Sequence, residues 1–323
     1  MRAVTIVDGR LEMRDHPDPQ PGAGELLVRV QAAGMNAADL LQRQGLYPPP
    51  AGSPPDIPGI ELAGEVVGTG RDVARFSTGD RVMAVVGGGA QAELALVHER
   101  HAVPVPDRMG WDEAGGFPEA FTTAHDALFT QCGLAMGERV CVHGAAGGVG
   151  TAAVQLAAAA GCHVTATVRH TGLRDEVAGL GAHAVVDPDG FDAAGPFDVV
   201  LELVGAPNLA ADLRALAIGG RIAVIGVGAG ANAELDLLML MARRARIHGS
   251  TLRARPLEQK ALAARAVEAH VLPLLASGAV RVPVAATFPL DDCEAAYERF
   301  AAGAKLGKVV LRAGRGASPA AGR

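Results

Sequence analysis

The residues with the clearest chemical potential are glycines. In Val140-Cys-Val-His-Gly-Ala-Ala-Gly-Gly-Val-Gly150 an apolar segment runs into glycines at 144, 147, 148 and 150, then into an alanine-rich stretch. Glycines let a chain turn tightly and bring backbone N–H groups close to a pyrophosphate. A helix that follows points its positive end at the same anion. Small residues at Gly150, Ala152 and Ala153 let that helix sit close to a sheet. The motif gains specificity from its setting, a strand before it and a helix after it. Downstream, Ala166-Thr-Val-Arg-His-Thr171 ends the next apolar segment. NAD enzymes place an acid there for the ribose hydroxyls. This chain places Arg169 and His170 instead, which suit a 2′-phosphate through charge-assisted hydrogen bonds. NADPH is therefore favoured over NADH.

These residues need a scaffold. From about Glu113 onward, apolar runs and helical patterns alternate: strands at 139–143, 162–168, 183–187, 198–203, 221–225 and 246–251, with helices at 118–131, 149–160 and 173–180. That spacing predicts βαβ units and a parallel sheet, an α/β fold. The first hundred residues read differently, as short strands at 25–31, 61–68, 81–86 and 92–97. Between them lies a loop, Tyr47 to Pro58, with prolines at 48, 49, 50, 54, 55 and 58. After Arg255 the pattern predicts a helix over 257–276, a strand over 284–288, a helix over 291–302 with Asp291 and Glu294 as a capping box, and a strand over 308–312. The tail 313–323 reads as frayed.

Composition narrows the function classes. The 323 residues carry a net charge of −6 without long like-charge runs, which gives nucleic-acid binding little support. Lysine occurs only at positions 260, 305 and 308. Cys132, Cys141, Cys162 and Cys293 have no Cys-x-x-Cys spacing and read as reduced, buried thiols. No secretory signal and no apolar run of membrane-spanning length is present, so the expected setting is cytoplasmic.

Longer motifs carry a family resemblance. Asn36-Ala-Ala-Asp-Leu-Leu-Gln-Arg-Gln-Gly-Leu-Tyr47, Pro58-Gly-Ile-Glu-Leu-Ala-Gly-Glu-Val66, Pro118-Glu-Ala-Phe-Thr-Thr-Ala124, the glycine-rich turn and Gly303 to Lys308 together resemble the ζ-crystallin-like quinone oxidoreductase branch of the medium-chain dehydrogenase/reductase superfamily. The subgroup most similar is the stress-inducible NADPH quinone reductases. The resemblance runs from about Met1 to Leu311. It implies a GroES-like β-rich catalytic domain from residues 1–117 and 256–323, a Rossmann NADP-binding domain from 118–255, a cleft between them, and a homodimer or homotetramer. Zinc-dependent relatives carry Cys where this chain has Asn36, and His before the glutamate matching Glu61, where this chain has Ile60. The resemblance therefore implies a site without zinc.

The same resemblance assigns residues. Asn36 and Tyr47 match positions lining the nicotinamide and acceptor cleft. Thr123, Ala146, Gly147, Gly148, Val149, Val204, Gly205, Ile225, Gly226, Val227, Ser250, Thr251 and Leu252 match cofactor contacts, joined by Arg169 and His170. Asp39 and Glu61 read as mainly structural. Relatives often carry a lysine near positions 172 and 173; here Arg169, His170 or Arg174 takes that role. The implied activity is hydride transfer from NADPH to a small quinone, with Tyr47 or solvent as proton source. Reduction of an enoyl thioester or a 2-alkenal is the alternative within the fold. A low-turnover NADPH-binding redox sensor is the alternative of another class.

Overall fold

The computed structural model describes residues 1–313; the expected frayed tail, apart from Ala313, lies outside them. Two sheets organise the chain. The first has seven strands, in the order Val284–Pro289, Lys308–Arg312, Glu25–Gly34, Glu61–Thr69, Arg81–Val85 and Val103–Pro104, with Leu94–His98 also pairing along Glu25–Gly34. Leu26, Val28 and Val30 alternate inward along the central strand and are buried with Leu62, Val66 and Val82. Lys308–Arg312 pairs antiparallel with residues 32–34, so the last strand closes beside one of the first.

The second sheet has six parallel strands, in the order Ala184–Val186, His163–Thr167, Arg139–Val142, Phe197–Glu202, Leu216–Val224 and Arg246–Gly249. Chain order reverses between Arg139–Val142 and Phe197–Glu202. In such doubly wound sheets a ligand crevice opens at the strand carboxyl ends beside that reversal. The helix Gly148–Ala159 packs on this sheet through Ala152, Ala153, Val154, Leu156 and Ala157, all buried. Among the described residues no helix is long and apolar enough to cross a membrane.

Three helix expectations need correction. The segment 118–131 is α-helical only over Pro118–His125 and continues as a π-helical turn, Asp126–Gln131. Asp126 on that turn binds Arg255 at 2.9 Å and Ser250 at 3.2 Å. The segment 257–276 divides into Leu257–His270 and Leu272–Ala276, because Pro273 has no N–H to continue the ladder. The last helix starts at Cys293. Asp291 sits in the turn before it and pairs with Arg2, while Glu294 is drawn away by Arg43 (2.9 Å) and the Leu11 N–H (3.2 Å). A hairpin that the apolar pattern does not predict, Arg2–Val7 with Arg10–Asp15, turns at Asp8-Gly9, both at positive φ.

Candidate active site

Five segments expected to meet the cofactor follow the carboxyl ends of five neighbouring parallel strands. They are Ala146–Val149, Arg169–His170, Val204–Gly205, Ile225–Val227 and Ser250–Leu252. One edge of the sheet thus carries them in a row, with Arg169 and His170 at one flank and Ser250–Leu252 at the other. Gly205 and Leu252 are buried, whereas Arg169, His170, Val227 and Thr251 are exposed. Thr123 is buried on the helix Pro118–His125.

The turn itself fits a dinucleotide. No side chain caps the start of the helix Gly148–Ala159, and Ala146 to Val149 remain partly exposed. Its first N–H groups are therefore available to an anion. Close packing explains Gly150, where a Cβ would lie 2.5 Å from the Gly144 carbonyl oxygen. Gly147 is different: its φ is −75°, and a Cβ would meet only the Gly144 oxygen at 3.4 Å. Behind the turn, Glu202 accepts the N–H groups of Val204 and Gly205 and so sets that loop. His143, buried before Gly144, bonds Asp212 at 2.8 Å and Thr167 at 3.1 Å.

The three basic residues after the strand His163–Thr167 divide. Arg174 is engaged by Asp187 (2.7 Å) and the Val168 carbonyl (3.2 Å). Arg169 and His170 are exposed, and among the described residues neither makes an ion pair.

The other wall is a buried polar cluster. Asn36 donates from its amide to Glu61 Oε1 at 2.9 Å and accepts from Lys308 Nζ at 2.7 Å. Lys308 also pairs with Glu61 Oε1 at 2.6 Å and donates to the Met35 carbonyl at 2.8 Å. Removing one partner of so buried a pair leaves an uncompensated charge, at a cost of roughly 3–5 kcal/mol. Asp39 takes the Asn36 N–H at 2.8 Å and the Gly59 N–H at 3.1 Å, a structural role. Burial nevertheless holds its carboxyl at about 6. Glu119 offers its backbone N–H to Glu61 Oε2 at 2.8 Å, and its carboxyl, pushed up to about 7 by burial and by Glu61, accepts from Thr123 Oγ1 at 3.1 Å. Lys308 pairs directly with Glu61 alone, and its charge partly offsets the burial that raises Asp39 and Glu119.

This wall meets the dinucleotide edge directly. The Gly307 N–H donates to the Ala146 carbonyl at 2.8 Å, and a Cβ on Gly148 would strike the Lys308 stem at 2.6 Å. Tyr47 stands in the proline-rich loop, half-buried, with the Arg253 guanidinium 5.0 Å from its ring centre. Arg253 is itself buried. It anchors the loop through the carbonyls of Tyr47 (2.9 Å) and Gly87 (2.7 Å) and through Gln42. Burial raises the Tyr47 phenol above its ordinary value, with Arg253 opposing.

Lys308, Glu119 and Arg253 did not emerge from the sequence as site residues. Lys308 had a faint signal, being one of three lysines in an arginine-rich chain. Glu119 lay inside the Pro118–Ala124 motif without being singled out, and Arg253 had no signal, since its partners are 166 to 211 residues away.

A dinucleotide edge facing a polar cleft, with no capping side chain on the glycine-rich turn, defines a nicotinamide-dependent oxidoreductase of two-sheet architecture. Residues 22–107 match the alcohol dehydrogenase GroES-like domain, and residues 148–268 match the zinc-binding dehydrogenase family. The quinone oxidoreductase of Rattus norvegicus is 31% identical over 305 residues, covering 91% of this chain and 90% of that protein. A phenolphthiocerol/phthiocerol polyketide synthase of Mycobacterium tuberculosis is 32% identical over 301 residues, 90% of this chain, but the chain spans only 14% of that protein's length. A mycobacterial protein solved in complex with NADPH superposes with a TM-score of 0.86 at 28% identity, over 97% of this chain and 99% of that one. The chain belongs to the medium-chain dehydrogenase/reductase superfamily, and its relatives along nearly the full length include quinone oxidoreductases.

Proposed function

We propose that the protein transfers hydride from NADPH to a small quinone, without zinc. The observation that carries this reading is the contact between the glycine-rich turn and the Asn36–Glu61–Lys308 cluster. It sets a hydrogen-bonding wall that offers neither thiolate nor imidazole against the glycine-rich turn. Asn36 stands where zinc-dependent relatives offer a thiolate, and its amide is engaged at both ends. An ammonium 2.6 Å from Glu61 already supplies the positive charge that a cation would bring. All four cysteines are free, buried thiols outside this cluster, consistent with a reducing cytoplasmic setting.

The bound dinucleotide supplies the hydride. The protein's part is to hold an acceptor beside it, so proximity and orientation carry most of the rate. The Gly147–Val149 segment would hold the pyrophosphate and Arg169 with His170 the 2′-phosphate, while Asn36 and Tyr47 orient the acceptor. Saturable, zinc-independent NADPH oxidation with a benzoquinone tests the reading. Activity lost to a chelator and restored by zinc contradicts it, and absence of turnover on any quinone leaves enoyl-thioester or alkenal reduction and the redox-sensor alternative. Reduction of an enoyl thioester or alkenal is a second reading, favoured by the likeness to a segment of a polyketide synthase.

A second copy of the chain is the proposed partner. Arg246–Gly249 is one of the two edge strands of the parallel sheet among the described residues, and beside it Leu237, Leu238 and Met241 are 63%, 78% and 70% exposed. An open strand edge flanked by exposed apolar side chains is poorly suited to solvent and well suited to pairing across a two-fold axis.

A further inference from the structure

Glu119 is a titratable side chain with no part in the function proposed above. Its Oε1 accepts from Thr123, and its Oε2 is buried without a hydrogen-bond partner among the described residues. Around it stand Glu61 and Lys308, each on a strand of the seven-stranded sheet, and Asp39 on the helix Ala37–Arg43. Its charge also reaches Tyr47 on the proline-rich loop, and Arg253 and Lys260. It therefore shares one polar cluster with Asn36 through Glu61, and its charge is felt at Tyr47, the other residue assigned to the acceptor.

A buried carboxylate oxygen without a donor is costly as an anion. As a neutral acid, the same oxygen carries a hydroxyl for which the protein provides no acceptor. An electron-rich oxygen arriving in the cleft would provide one. We propose that Glu119 is the catalytic acid of this site, giving its proton to the acceptor as hydride arrives. The proposal rests on the reading that the cleft reduces a small unsaturated acceptor. Hydride delivers two electrons and one hydrogen to the acceptor, and negative charge develops on the acceptor's oxygen. The Glu119 O–H bond breaks, its electron pair stays on the carboxylate, and the proton completes the reduced product. Solvent then reprotonates Glu119. A quinone taken to a hydroquinone needs one hydride and one proton, so the step balances.

Burial and the charge of Glu61 hold this carboxyl at about 7, opposed by Thr123 and Lys308. A general acid is most effective near the working pH. The Tyr47 phenol, raised by burial, is the weaker acid of the two.

Glu119→Gln keeps the side-chain shape and the Thr123 contact but has no proton to give. The expected result is a kcat lower by about 10²-fold with NADPH affinity unchanged. Wild-type kcat should fall as pH rises through the region near 7, since the protonated form is the active one; the variant should be flat there. Infrared difference spectroscopy of the cofactor-free protein gives an independent readout. A protonated carboxyl band at neutral pH should be present in wild type and missing in Glu119→Gln. A folded variant with unchanged kcat and pH profile overturns the proposal, as does the absence of that band. The kinetics are run with a benzoquinone and with an enal. If only the enal is reduced, the quinone reading fails while the pH profile on the enal still decides the role of Glu119.

Discussion

Tyr47 and Asn36, the residues proposed to orient the acceptor, lie in the β-rich part of the chain, while Arg169 follows a strand of the parallel sheet. Their substitutions should separate cleanly. If the Tyr47 phenol hydrogen-bonds the reduced oxygen, Tyr47→Phe should lower turnover roughly tenfold, about 1.4 kcal/mol, with little change in NADPH affinity. Unchanged turnover in steady-state kinetics would confine Tyr47 to packing under Arg253. Arg169→Ala should do the reverse. It should weaken NADPH by ~1.5–3 kcal/mol, leave NADH affinity nearly unchanged, and spare kcat. Cofactor fluorescence titration checks this, and equal loss for both cofactors would remove the phosphate role. Arg169 could be proposed from the sequence because its place just after the second strand of the parallel sheet is local to the chain. Lys308 could not, because its partners Met35 and Asn36 are 273 and 272 residues away. A side chain that acts by spanning the chain's two ends leaves no local pattern.

At the scale of elements, the alternation of apolar runs was enough to place the six parallel strands, with ends shifted by at most five residues. Periodicity failed where tertiary contacts intervene, in the π turn at Asp126 and the cap of the last helix, where Glu294 is held by Arg43 instead, and where it overlooked the local break that Pro273 imposes. The glycine-rich turn shows the same division. Its glycines signalled close approach, but only the structure distinguishes their reasons. Gly144 has a positive φ, Gly150 packs against backbone, and Gly147 has an ordinary φ beside open space. Gly147→Val is therefore the cleaner probe of the anion site. The helix should form normally, since the new Cβ is 3.4 Å from its nearest neighbour, yet the side chain should occupy the approach to the free N–H groups. NADPH affinity should fall by about 100-fold or more, ~2.7 kcal/mol. A folded variant with wild-type affinity would make the turn a packing device only. Gly148→Val is a poorer choice, because it also displaces Lys308.

For the whole molecule, the return of the chain at Lys308–Arg312 brings two distant segments into one cleft wall and docks that wall on the dinucleotide turn. The exposed sheet edge bears on assembly: Leu238→Glu should shift a dimer toward monomer in analytical ultracentrifugation without unfolding it, and an unchanged sedimentation coefficient would place the interface elsewhere. The central claim, that this cleft passes hydride from NADPH to a quinone, is tested most directly by measuring kcat/KM for benzoquinone, an enal and an enoyl-CoA side by side, each with NADPH and with NADH. The expected result is saturable turnover that is highest for benzoquinone with NADPH and persists in metal-free protein. A higher kcat/KM for the enoyl thioester, or an equal rate with NADH, would contradict it.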